Sequence, residues 1–125
     1  MPRTMPLRAI RGAVTVPENS KAAIHEATHE LLQSLTKANS LDAVDVVSAT
    51  FSVTPDLNQA YPAEAAREMG WTDAALMCVQ EMHVEGALSR CIRVRVLWET
   101  LGPQSAVEHR YLRGAAELRP DRSTE

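Results

Sequence analysis

The chain has 125 residues, 45% of them hydrophobic and 23% charged, which suits one domain whose core needs no disulfide or metal staple. A formal net charge of −3 excludes a general nucleic-acid binder, whose footprint is a basic excess. Two cysteines make no disulfide framework, and no stretch reaches the roughly 18 apolar residues of a membrane span or forms a secretion signal. A reduced, cytoplasmic, membrane-free protein is therefore expected.

One domain is expected over residues 1–125, with 1–6 and 120–125 flexible. Leu7 to Val16, "LRAIRGAVTV", mixes β-branched residues with Gly12 and reads as a first strand. "PENS" breaks it, and Asn19 or Ser20 can cap a helix running from Ser20 to about Ala38. Its apolar residues Ile24, Ala27, Leu31, Leu32, Leu35 and Ala38 form one stripe. "VVSATFSV" alternates, with Val47, Ala49, Phe51 and Val53 on one face and Ser48, Thr50 and Ser52 on the other, as a half-buried strand does. Pro62 suits the first position of a short helix, "PAEAAREM", which Gly70 can end. Ala74 to Met82 and Arg90 to Glu99 read as strands, "AVEHRYL" as a last strand, and "RGAAELRPDRSTE" as an irregular tail. Strands outnumber helices, so the expected class is α+β, one sheet with a helix on one face.

The long helix carries His25-Glu26-Ala27-Thr28-His29, the H-E-x-x-H spacing that zinc proteases use. Both histidines fall on the flank of the core stripe, with Glu26 and Glu30 further towards solvent. Leu32 and Leu35 occupy the places where an extended zinc motif needs a glycine and a third histidine. Nothing in the spacing of Glu64 or Glu68 marks a third ligand. The motif reads as a solvated helix face, and no metal or other cofactor is expected.

The charge sits oddly elsewhere. The basic residues are eleven arginines and two lysines, which reflects coding bias or a need for planar forks that grip carboxylates. In "CIRVRVLWE", Ile92, Val94, Val96 and Trp98 make an apolar face, while Arg93 and Arg95 project from the other between Cys91 and Leu97. A half-buried arginine needs an acid, and the end of "CVQEM" offers Glu81 to Arg93. Arg95 suits an exposed face or a subunit contact. Arg11 directly precedes Gly12, where the missing side chain lets a ligand or another chain approach the backbone. Tyr111 offers a hydroxyl. Together Arg11, Arg93 and Tyr111 suit a small acidic ligand, and no nucleophilic triad or Gly-rich phosphate loop stands out.

Four blocks carry a resemblance: "AIRGAVTV", "TPDLNQAYPAEAARE", "CVQEMHVEGALSRCIRV" and "YLRGAAELRPD". From Leu7 to Asp121 the chain resembles the trimeric α/β-barrel type of chorismate mutase. The resemblance implies a mixed five-stranded sheet with one long and one short helix. Three such subunits would form a pseudo-α/β-barrel, with active sites in the clefts between them. It implies the pericyclic rearrangement of chorismate to prephenate, with Arg93 as the cation at the breaking ether oxygen. Glu81 would accept the ring hydroxyl and orient Arg93, with the backbone of Cys78 helping. Arg11 and Tyr111 would clamp a carboxylate. Tyr61, Ala63 and Arg67 of the neighbouring subunit would wall the cleft, Leu76 and Met77 would pack against the ring side, and Leu118 and Arg119 would close over the ligand. Three positions depart from the family's usual residues: Glu64 for Lys, Met77 for Thr and Tyr61 for Phe. An acid at 64 would weaken attraction for a dianion and raise KM while nearly keeping kcat. The rival readings are a non-catalytic trimeric binder of the same fold and, far behind, a zinc hydrolase.

Overall fold

The computed structural model describes residues 5–119. Its elements, in chain order, are β1 (Leu7–Thr15), α1 (Lys21–Asn39), β2 (Val46–Val53), α2 (Pro62–Glu68), β3 (Ala75–Gln80), β4 (Cys91–Glu99) and β5 (Arg110–Leu112). Short 3-10 turns lie at Ala43–Asp45, Gln104–Ala106 and Arg113–Leu118. The strands form one mixed sheet in the order β3-β2-β4-β1-β5. The two pairs flanking β4 run antiparallel to it, whereas β2 with β3 and β1 with β5 are parallel. That is the expected α+β class. Among the described residues no helix is long and apolar enough to cross a membrane.

Period-two alternation decides the layers. Ile92, Val94, Val96 and Trp98 of β4 are buried, as are Ile10 and Val14 of β1 and Ala49 and Phe51 of β2. They pack against Ile24, Ala27, Leu31, Leu32 and Leu35 of α1 in one core. Each valine, leucine, isoleucine or phenylalanine among them contributes about 1.5–3 kcal/mol by leaving water. The helix starts where Ser20 accepts from the Ala23 N–H at 3.2 Å, a cap worth about 1 kcal/mol. It ends at Ser40 in the left-handed region, φ 50°. Thr28 joins the buried stripe because its hydroxyl donates to the Ile24 carbonyl at 2.8 Å.

Four expectations need correction. Val47 is exposed and Val46 is buried, because the β2/β4 register slips between Val46 and Ser48 and leaves Val47 in a bulge. β3 is shorter than expected, Ala75–Gln80, although Glu81 still donates its N–H to the Val53 carbonyl at 2.8 Å. The last strand has only three residues. Upstream of it, side chains replace the ladder: His109 Nδ1 accepts from the Arg11 N–H at 2.9 Å, and Asn39 pairs with the Glu108 backbone. The tail is not irregular, since Arg113–Leu118 coils and buries Ala115 beside Ala13, Cys91 and Tyr111. Of the ends expected to be flexible, 1–4 and 120–125 lie outside the described residues, while the Pro6 carbonyl accepts from the Thr100 N–H at 3.1 Å.

Gly12 is needed for packing inside the fold. A Cβ there would stand 3.0 Å from Leu31 Cδ1, 3.1 Å from the Arg110 carbonyl oxygen and 3.2 Å from Leu35 Cδ1. What approaches its backbone is α1 and β5 of the same chain. Gly12→Ala is expected to lose about 1–3 kcal/mol through overpacking, read as a lower urea midpoint at unchanged slope. An unchanged midpoint would mean that α1 moves away at no cost.

Candidate active site

The helices cover one face of the sheet; the opposite face carries the charge. Cross-strand register puts Tyr111, Ala13, Arg93, Ser52 and Val79 in one row on that face. The next row holds Arg11, Arg95, Thr50 and Met77. Between them opens a cavity of about 280 Å³ lined by Arg11, Thr50, Ser52, Arg93, Arg95 and Tyr111, with Gly12 and Val94 contributing backbone. Arg11 stands directly opposite Arg95, a like-charge pairing that costs stability across strands.

Glu81 is the acid of this site. Its Oε1 lies 3.6 Å from Arg93 Nε and accepts a short hydrogen bond from the Ser52 hydroxyl. Ser52 thus orients the carboxylate that orients the guanidinium. Reading β2 alone places Ser52 among solvent-facing polar residues. Only its register opposite Arg93 reveals its part, and the serine–threonine face of β2 was the sequence signal available. The Arg93 side chain remains 44% exposed, so donors are left for a ligand. Among the described residues no salt bridge joins Arg11 or Arg95 to a carboxylate, so the cavity holds a surplus of positive charge.

Tyr111 is buried at the cavity edge and packs with Ala13, Cys91 and Ala115, with Leu118 against the same cluster. The Arg113–Leu118 turn therefore packs beside the Tyr111 end of the cationic face. Burial pushes the Cys91 thiol up, Arg93 opposing this in part, so the group stays a packing thiol.

The remaining expected site residues lie on a second surface. A cavity of about 520 Å³ opens beside the edge strand β3 and is lined by Tyr61, Pro62, Glu64, Cys78, Val79 and Gln80, with the 53–60 segment opposite. Tyr61 is 67% exposed at the start of α2 and Arg67 is exposed on its outer side, whereas Ala63 is buried in the core. Cys78 does not line the Arg93 cavity; its thiol is half-buried on the core side and is pushed up by burial, the Ala63 backbone opposing this in part. Leu76 and Met77 do not share a surface. As neighbours on β3 they point oppositely, Leu76 to the core and Met77, 60% exposed, to the cationic face.

The H-E-x-x-H helix face is not wholly solvated. His25 is half-buried, and its Nε2 donates to Glu64 Oε1 at 2.8 Å while Nδ1 lies 3.9 Å from Glu68 Oε1. It ties α1 to α2. His29 is exposed. Among the described residues no three His, Cys, Asp or Glu side chains converge in a way that could hold a metal ion.

A family model described as chorismate mutase type I matches residues 7–122. The chain is 48% identical over 116 residues to the chorismate mutase AroH of Thermus thermophilus, covering 92% of this chain and 95% of that protein. It is 42% identical over 120 residues to the chorismate mutase AroH of Bacillus subtilis (strain 168), covering 95% of this chain and 94% of that one. In structure it is similar to a chorismate mutase from Clostridium thermocellum. The TM-score is 0.85 at 45% identity, over 87% of this chain and 97% of that one.

The hydrogen bond from His25 holds the Glu64 carboxyl below the usual carboxylate range, with Lys21, His25 and Arg67 adding attraction. A lowered folded-state pKa gives stability that is present above the unfolded value and lost as pH falls through the folded one. Glu64→Gln is therefore expected to melt lower than the parent protein at neutral pH. The two melting curves should converge as pH drops below the glutamate range. A gap that stays constant down to that acidity would assign the contribution to packing.

Proposed function

The chain belongs to the chorismate mutase type I family, and we propose that its catalytic unit is a homotrimer with one active site in each cleft between neighbouring subunits. Its reaction is the rearrangement of chorismate to prephenate, within aromatic amino-acid biosynthesis. The observation that carries the reading is the surplus of guanidinium on an uncovered sheet face, with Arg93 aimed by Glu81 and Ser52.

The reaction breaks an ether bond and makes a carbon–carbon bond within one molecule. Catalysis therefore consists of holding the enolpyruvyl chain over the ring and stabilising charge that grows on the ether oxygen. Arg93 supplies that stabilisation, because its planar fork spans the ether oxygen and one carboxylate together. Glu81 accepts the ring hydroxyl while keeping the Arg93 plane fixed. Arg11 and Tyr111 bind a carboxylate from the far side, and Leu118 and Arg119 close the cavity. Arg11 faces Arg95 without a carboxylate partner, an arrangement that favours a dianion entering between them.

Two incomplete surfaces support the trimer. The Arg93 cavity holds the cations, and the Tyr61 cavity supplies the apolar wall; a neighbouring subunit brings the exposed Tyr61 and Arg67 of its short-helix block against the cations of the first. Leu7, Val47, Met77 and Val79 remain 41–60% exposed in the single chain, and subunit contact would bury them. A purified protein at micromolar concentration is expected to show three times the chain mass by light scattering. A monomer that turns over chorismate would overturn this assembly.

The first experiment follows the loss of chorismate's diene absorbance with and without EDTA. Conversion to prephenate indifferent to EDTA is expected. A well-folded trimer that binds chorismate without converting it would move the reading to a non-catalytic binder. Arg93→Lys is expected to lower kcat by at least about 100-fold, since an ammonium replaces one oxyanion donor but cannot span both acceptors. Turnover near that of the parent protein would remove Arg93 from the ether oxygen.

A further inference from the structure

We propose that Lys21, the first residue of α1, is the rim cation that draws chorismate into the Tyr61 half of the cleft. The inference rests on the chorismate reading above. Among the residues lining the cavity of about 520 Å³, Lys21 is the one lysine or arginine. It lines that cavity together with Tyr61 and Cys78 and also lines the adjoining groove, where His25, Glu64, Arg67 and Glu68 lie.

The placement of Lys21 is built into the fold. Asn19 and Asn58 hold each other reciprocally: Asn58 N–H donates to Asn19 Oδ1 at 3.0 Å, and Asn19 Nδ2 donates to Asn58 Oδ1 at 2.8 Å. Asn58 is itself in the cavity wall, so the start of α1 is pinned to that wall. The Ser20 cap then sets the direction in which the helix leaves. Lys21 has no salt bridge within 4 Å among the described residues. The nearby acid, Glu64, is committed to His25 at 2.8 Å.

Position also argues against a stabilising role in the helix. A cation in the first turn meets the positive end of the helix dipole, and the first turn of α1 has no acidic residue to offset it. A lysine that costs helix stability, faces a substrate cavity and is held in no salt bridge is suited to attracting an anion. The acid at 64 then need not repel substrate, because His25 engages its carboxylate and Lys21 supplies the opposite charge beside it.

The test is steady-state kinetics of the full chain carrying Lys21→Gln, at low and at high ionic strength, with Lys21→Arg beside it. At low salt the expected result is KM raised about three- to fivefold with kcat kept. The difference should fade as salt approaches about 1 M, where screening acts within roughly 3 Å. Lys21→Arg should restore KM, and the melting temperature of Lys21→Gln should not fall. An unchanged KM at low salt would overturn the assignment. So would a salt-independent loss that arginine does not rescue, because that pattern belongs to helix packing. If the parent protein converts no chorismate, the underlying reading fails, an outcome distinct from an active parent indifferent to Lys21→Gln.

Discussion

The structure turns on a sheet that is covered on one side only. Alternation along β4 sends Ile92, Val94, Val96 and Trp98 under α1 and sends Arg93 and Arg95 the other way. The same parity in β1 and β2 places Arg11, Thr50 and Ser52 on the open face. A one-residue slip of β1 or β4 would drive a guanidinium into the core and a valine or isoleucine into water. Core burial therefore holds the site together as firmly as any contact within it.

Within the site, geometry depends on a short chain of bonds. The Val53 carbonyl holds the Glu81 backbone, the Ser52 hydroxyl holds its carboxylate, and the carboxylate faces Arg93. One acid among three guanidiniums fixes a plane without neutralising the cavity. The two arginines without a salt bridge raise the free energy of the empty site, a cost that a dianion bound as proposed would relieve. Reaction through fixed charge and confinement suits such an arrangement, because the groups need no reorganisation at the moment of reaction.

The helix pair shapes the second surface. His25 bonds Glu64 and so ties α2 to α1 beside the cavity that Tyr61 lines. The histidine that suggested a zinc ligand is a clasp between helices. Its flank position was readable from the helical wheel, but its partner lies 39 residues away and no local pattern announces it. The same is true of Asn19 with Asn58, which pins the start of α1.

The sequence by itself determined the period of each long element, and with it the α+β class, the core stripe of α1 and the odd arginine face of β4. Those features depend on near neighbours, where apolar spacing and caps act within a few residues. It also carried the resemblance to the chorismate mutases, through four blocks in order. Tertiary structure alone decided what depends on distant partners. The Val46/Val47 bulge follows from pairing with β4, the three-residue length of β5 from side chains that replace ladder bonds, and the coiling of Arg113–Leu118 from a place to bury Ala115. Ser52 entered the site, and Leu76 parted from Met77, for the same reason: strand register and facing are set by pairing across the sheet, which local sequence constrains only weakly.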